Sequence, residues 1–179
     1  VKANYSISRL RGRGRAAALA ICLGLLAPVC GAEQVWGRSE AIASPNAKYS
    51  AKITERASGV MELSVFTSSG KRLWGRTIDW NEGFSGFLSN DGSVFAVVND
   101  DYSTLDLLVF IYSKEGQAGY SMRQIVVPPE FLEERGGEKV WIDPVQGNVN
   151  YQYDGSGKPR YLDIRALSGK TFEIGLDLG

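Results

Sequence analysis

The sequence contains no histidine, and its only two cysteines, Cys22 and Cys30, fall within the first 32 residues. Without histidine the chain lacks the commonest general base and the commonest metal ligand. A Ser-His-Asp triad is excluded outright. Beyond residue 32 there is also no thiol, so a thiolate nucleophile, a Cys/His zinc site and a disulfide are all excluded there. Charge of one sign is not in excess either, with 20 Lys and Arg against 20 Asp and Glu. That balance argues against a basic nucleic-acid binder, and a hydrophobic content of 44% argues against a disordered chain. No glycine-rich phosphate loop or dinucleotide fingerprint is present.

What is present begins with a leader. Arg9, Arg11, Arg13 and Arg15 precede an apolar run over 16–27, and Gly31-Ala32 offers a small-residue cut before Glu33. A cationic segment, a short apolar core and a small-residue site predict a secretory signal peptide over 1–32. A membrane span needs about 20 apolar residues, and this run stops sooner, at Pro28. Two alternatives stay open: a membrane anchor, and a lipoprotein anchored through Cys30, although Val29 and Pro28 suit lipidation poorly. Val1 resembles an alternative bacterial start codon read literally, which points to a periplasmic or secreted bacterial protein. Lys2 and the four arginines are the leader's only charges. Removing them leaves 15 basic residues against 20 acidic ones, a net charge of −5 on the remaining 147 residues. That length can bury a core without disulfides.

The rest reads as a single all-β domain over 33–179. Tyr49, Ala51 and Ile53 alternate with Ser50 and Lys52, and Met61, Leu63 and Val65 with Glu62 and Ser64, the period of half-buried strands. Turn clusters punctuate these runs at 68–70, 90–92, 114–116, 155–157 and 168–169. The elements recur. A polar turn opens a strand at Ser44-Pro45-Asn46, Ser89-Asn90-Asp91-Gly92 and Asp143-Pro144. A second strand then leads to Gly70-Lys71, Gly116-Gln117 and Gly169-Lys170. A further strand follows each glycine, over 72–78, 122–127 and 171–176. A short strand precedes each polar turn, over 35–38, 84–88 and 139–142. This predicts three units of four antiparallel strands, about 35–78, 84–127 and 139–177, the signature of propeller blades.

Ser89-Asn90-Asp91-Gly92-Ser93-Val94-Phe95 followed by Leu107-Leu108-Val109-Phe110 resembles the blade repeats of TolB-like periplasmic propellers. Unit one departs from that pattern with Asn46-Ala47, and unit three with Asp143-Pro144 and a longer turn. The resemblance implies an open or incomplete propeller, because closed rings have typically four to eight blades. An irregular β-sandwich or barrel is the alternative. Three units leave two sheet edges, which invite either an open assembly or homo-oligomers pairing edge to edge. The segment 128–137 is the one helix candidate, with Pro129 at the first position, Glu130 in the first turn and Gly136 as its stop.

Candidate site residues are few. Asp91, Asp100, Asp101 and Asp106 are the acids grouped with strands, and Asp100-Asp101 reads either as a calcium or acid-pair site or as a polar connecting loop. Adjacent residues on an extended chain point to opposite sides, which favours the loop. No complete calcium-loop pattern occurs, and no metal or cofactor is implied. Trp80, in the polar stretch 79–83, is a candidate binding hot spot or else an inter-unit wedge. Trp74 and Arg72, two apart on one strand, are expected to share a face beside Lys71 and Arg76.

Two function classes follow. The first is a non-enzymatic binding or scaffold protein of the bacterial envelope that recognises a protein or peptide, with strand addition at an open edge as one mode. The second is a carbohydrate-active or other carboxylate-dependent hydrolase or sugar-binding module, which would need two carboxyls facing each other in an aromatic cleft. The missing residue types favour the first.

Overall fold

A computed structural model describes residues 39–56, 58–81, 83–102, 107–145 and 147–177. The leader over 1–32 with Cys30, the expected strand over 35–38, and Glu82 and Asp106 lie outside the described residues. Among the described residues no helix is long and apolar enough to cross a membrane.

The structure is all-β, built of antiparallel sheets. The first sheet comprises β1 (Ser39–Ala43), β2 (Tyr49–Glu55), β3 (Met61–Thr67) and β4 (Arg72–Ile78) in chain order. The second comprises β5 (Phe84–Leu88), β6 (Val94–Asn99), β7 (Leu107–Ser113) and β8 (Gln117–Ser121), again in chain order. A hairpin of β9 (Glu133–Arg135) and β10 (Glu138–Val140) stands apart. The third sheet comprises β11 (Val149–Tyr153), β12 (Pro159–Arg165) and β13 (Thr171–Gly175).

Alternation along each strand decides how the sheets meet. Every residue of β6 is buried. Phe95 and Val97 join a core with Ala51, Ile53, Leu63 and Val65 of the first sheet. Val94, Ala96 and Val98 join a core with Val149, Leu162, Ile164 and Ile174 of the third. The second sheet is therefore apolar on both faces. The outer two are apolar on one face only. Lys52, Thr54, Glu62 and Thr77 occupy the far face of the first sheet, and Asn150, Gln152, Asp163 and Glu173 that of the third. This is the half-solvated pattern of a terminal layer.

The polar turns repeat to the level of individual hydrogen bonds. In the first, the Ser44 hydroxyl donates to Asn46 Oδ1 at 2.8 Å, and the same oxygen accepts from Lys48 N–H at 3.1 Å. In the second, the Ser89 hydroxyl donates to Asp91 Oδ1 at 2.7 Å, which accepts from Ser93 N–H at 3.0 Å. Tyr49 N–H and Val94 N–H then donate back to the respective serine hydroxyls at 3.1 and 3.0 Å. The fourth position needs a positive φ, supplied by Gly92 at 71° and by Ala47 at 56°.

Three expectations from the sequence are corrected. The fourth strand of the second unit is β8, over 117–121 and not 122–127. Gln124 and Ile125 N–H both donate to Ser121 O at 2.9 Å, and the Gln124 side chain accepts from Ser121 N–H, so the chain turns where the strand was expected. Ile125 and Val127 still enter the core. The helix expected over 128–137 is only a 3-10 turn at Pro129–Phe131. Gly136 and Gly137, with φ of 62° and 92°, then close the β9–β10 hairpin, because two consecutive left-handed residues make the tight turn that a hairpin's twist requires. The third sheet consequently has three strands, not four. The backbone over 139–141 is used elsewhere: Tyr102 N–H donates to Lys139 O at 2.6 Å, Trp141 N–H to Asp100 O at 3.2 Å, and Leu167 N–H to Trp141 O at 2.9 Å.

Candidate functional site

The first strands of the three sheets, β1, β5 and β11, meet around a cleft of about 460 Å3. That volume lies in the range of small-ligand pockets. Glu40 and Ile42 line it from β1, Ser85, Gly86 and Phe87 from β5, and Tyr151 and Tyr153 from β11. Asn90 and Pro45 close it from the two polar turns.

Local sequence explains each placement. Gly86 lies against the first sheet, where a Cβ would come within 2.6 Å of Ile42 Cδ1 and 2.5 Å of Phe95 Cζ. Its missing side chain lets β1 and β5 approach. Tyr151 and Tyr153 are two apart on β11 and project to one side. Their hydroxyls tie the third sheet to the second: Tyr151 donates to Phe87 O at 2.8 Å, and Tyr153 accepts from Asn90 N–H at 2.7 Å. Burial pushes the Tyr151 phenol well above its ordinary range, and raises Tyr153 as well. Both rings are therefore neutral hydrogen-bonding groups at neutral pH. Ser89 N–H donates to Val94 O, and Phe87 and Ser85 follow in the same register opposite Ala96 and Val98. Their amides and carbonyls therefore face β6, and Tyr151 reaches Phe87 O from the face of the sheet. Backbone direction alternates along a strand, so Gly86, between Ser85 and Phe87, presents its amide and carbonyl to the free edge of β5.

Charge at this cleft is sparse. Glu40 is its one charged lining residue among the described residues, and it is half-buried. Across the sheet it pairs with Ile53, itself opposite Leu63, so the carboxylate sits on the apolar face of β1.

Comparison of the chain with family models, curated proteins and solved structures returns no match.

Among the described residues, none of the site residues singled out in the sequence lines the cleft. Trp80 is buried, 8% exposed, and its ring tilts against Phe95 with centroids 6.4 Å apart. It is a wedge between the first and second sheets and not an exposed hot spot. Trp74 is equally buried and donates its indole N–H to Gly92 O at 2.7 Å. Arg72 does not share its face. A bulge pairs Val65 with Trp74 and Phe66 with Arg72, leaving Leu73 extra and turning Arg72 to the opposite side. There its guanidinium lies over Gly75 and reaches Glu62 at 3.1 Å, a carboxylate it shares with Arg56. The two arginines hold the Glu62 carboxyl below its ordinary value, Arg56 contributing most.

Asp100 and Asp101 serve as a backbone junction. Asp101 is buried and bridges to Val140, and its N–H donates to Asn99 Oδ1 at 3.1 Å. Burial raises the Asp100 carboxyl, with a smaller contribution from the charge of Asp101. Asp91 is committed to the turn described above. Among the described residues no three Asp, Glu, Cys or His side chains gather as metal ligands.

Sequence reasoning missed Glu40, Phe87, Tyr151 and Tyr153. Two signals were available: a glutamate where β1 alternation calls for an apolar residue, and a Tyr-Gln-Tyr run with both rings on one side.

Proposed function

We propose that the protein is a non-enzymatic binding protein of the bacterial envelope, exported by its leader, which recognises a peptide segment of a partner in the cleft between β1, β5 and β11. The observation that carries this reading is that the first strand of each of the three larger sheets, and none of their later strands, borders the cleft. That arrangement supports a propeller-like fan of three blade-like sheets, as in the TolB-like resemblance, with the innermost strands around a common mouth. An irregular sandwich of the same sheets keeps the cleft in the same place, so the binding site does not depend on that choice. The polar far faces of the first and third sheets support an open, three-layer assembly over a ring completed by a second chain. The free edge of β5 at Gly86 offers main-chain hydrogen bonding to an extended chain. The lone acid among the described residues of the cleft favours binding over hydrolysis, since glycoside cleavage uses a pair of facing carboxyls.

Titration of isotope-labelled protein with a library of capped pentapeptides tests this. Amide shifts are expected to cluster at 40–43, 85–88 and 149–153. They should vanish in Pro45→Trp, which plugs the mouth from an exposed turn position, and persist in Lys52→Trp on the far face. Shifts confined to the far faces, or none with any peptide, would refute the reading.

A further inference from the structure

Glu40 is out of place energetically. Its cross-strand partner Ile53, and Leu63 opposite that, are at most 1% exposed, yet it is an acid on their apolar face. A half-buried carboxylate ordinarily takes a cation or several donors. The described residues of the first sheet supply none to it: Arg56 and Arg72 are committed to Glu62, Arg76 donates to Ser113 O, and Lys52 projects from the opposite face. Across the cleft stand the rings of Phe87, Tyr151 and Tyr153, whose faces attract cations. The Ser85 hydroxyl, on the same wall, has no hydrogen-bond partner among the described residues and can accept a further N–H.

Resting on the cleft as a peptide site, we propose that it selects a basic side chain, the ammonium of lysine or the guanidinium of arginine, on the bound segment. The alkyl stem packs between Ile42 and the aromatic wall. The charged head bonds Glu40, a charge-assisted contact that a neutral residue cannot reproduce.

The test uses capped Gly-Ala-Xaa-Ala-Gly peptides with Xaa as lysine, arginine, norleucine or glutamate, together with n-butylammonium alone, measured by calorimetry. Lysine and arginine peptides should bind at least about tenfold tighter than the norleucine peptide, the value of one hydrogen bond to a charged group. Glu40→Gln should erase that margin while its circular dichroism stays unchanged. Glu40→Lys should transfer the preference to the glutamate peptide. Equal binding of lysine and norleucine peptides, with Glu40→Gln silent, overturns the cation proposal and leaves the cleft a peptide site. Butylammonium binding as tightly as the lysine peptide overturns the peptide as its source. Binding of none of the five overturns the cleft reading itself.

Discussion

The two polar turns make a matched experiment. Ser44–Tyr49 and Ser89–Val94 share every hydrogen bond described above, and differ where a left-handed residue is needed. Gly92 occupies that position in one, and Ala47, with φ of 56°, in the other. An L-residue there costs about 1–2 kcal/mol through the clash of its Cβ with the following carbonyl. Ala47→Gly removes that cost but frees the unfolded chain, giving back about 0.4–1 kcal/mol. The net expectation is a stabilisation of about 0.5 kcal/mol, or a rise in Tm of about 1–2 °C for a domain of this size. Gly92→Ala should act in the opposite direction and more strongly. It incurs the same backbone cost, and its Cβ would lie 2.8 Å from the Tyr49 ring and 3.4 Å from Leu73 Cδ1. Here the expected loss is about 2 kcal/mol. Urea denaturation of the two variants and the parent, with the slope held common, measures both. A destabilising Ala47→Gly, or a neutral Gly92→Ala, would refute the claim that the turns are equivalent.

Trp141 is fully buried and donates its indole N–H to Asn99 O at 2.7 Å. Trp141→Phe leaves that carbonyl unpaired and opens space beside Phe172, so a loss of about 2–4 kcal/mol is expected in urea titrations, and a change below about 1 kcal/mol would contradict it. Tyr151 governs alkaline behaviour. Its phenol is raised well above the ordinary value of 10.0 in the folded protein, so the folded state holds the proton more tightly than the unfolded chain. Its contribution is fully present below pH 10 and is lost as pH climbs toward the raised value. Tyr151→Phe should lower stability at neutral pH, by loss of the bond to Phe87 O, yet flatten the decline above pH 10. An unchanged alkaline slope, followed by chemical denaturation across that range, would count against a buried phenol.

Elements specified locally were legible in the sequence. The alternation in β2 and β3, the strands at 72–78 and 84–88, the strand opened by the turn at 89–92, and the serine-led turns each rest on contacts between near neighbours, which spacing alone encodes. The hairpin at Gly136-Gly137 was missed because the same glycine that ends a helix also makes a hairpin turn. For Trp80 the sequence left the hot spot and the wedge both open. A ring in a polar stretch such as 79–83 suits either, and the packing of Phe95 against it decides for the interior wedge. The face of Arg72 depended on a one-residue bulge that no pattern on β4 announces.

The sequence by itself determined an antiparallel all-β chain, its turn chemistry, the histidine-free composition and the missing thiol beyond residue 32, because these are properties of residue types and short spacings. Only the tertiary structure decided that β1, β5 and β11 share one cleft and that Glu40, Phe87 and Tyr151 face it together. Those residues are 47 and 64 positions apart. They meet because the apolar faces of three separate sheets must be covered at once, and β6, buried on both sides, is the layer on which the other two close.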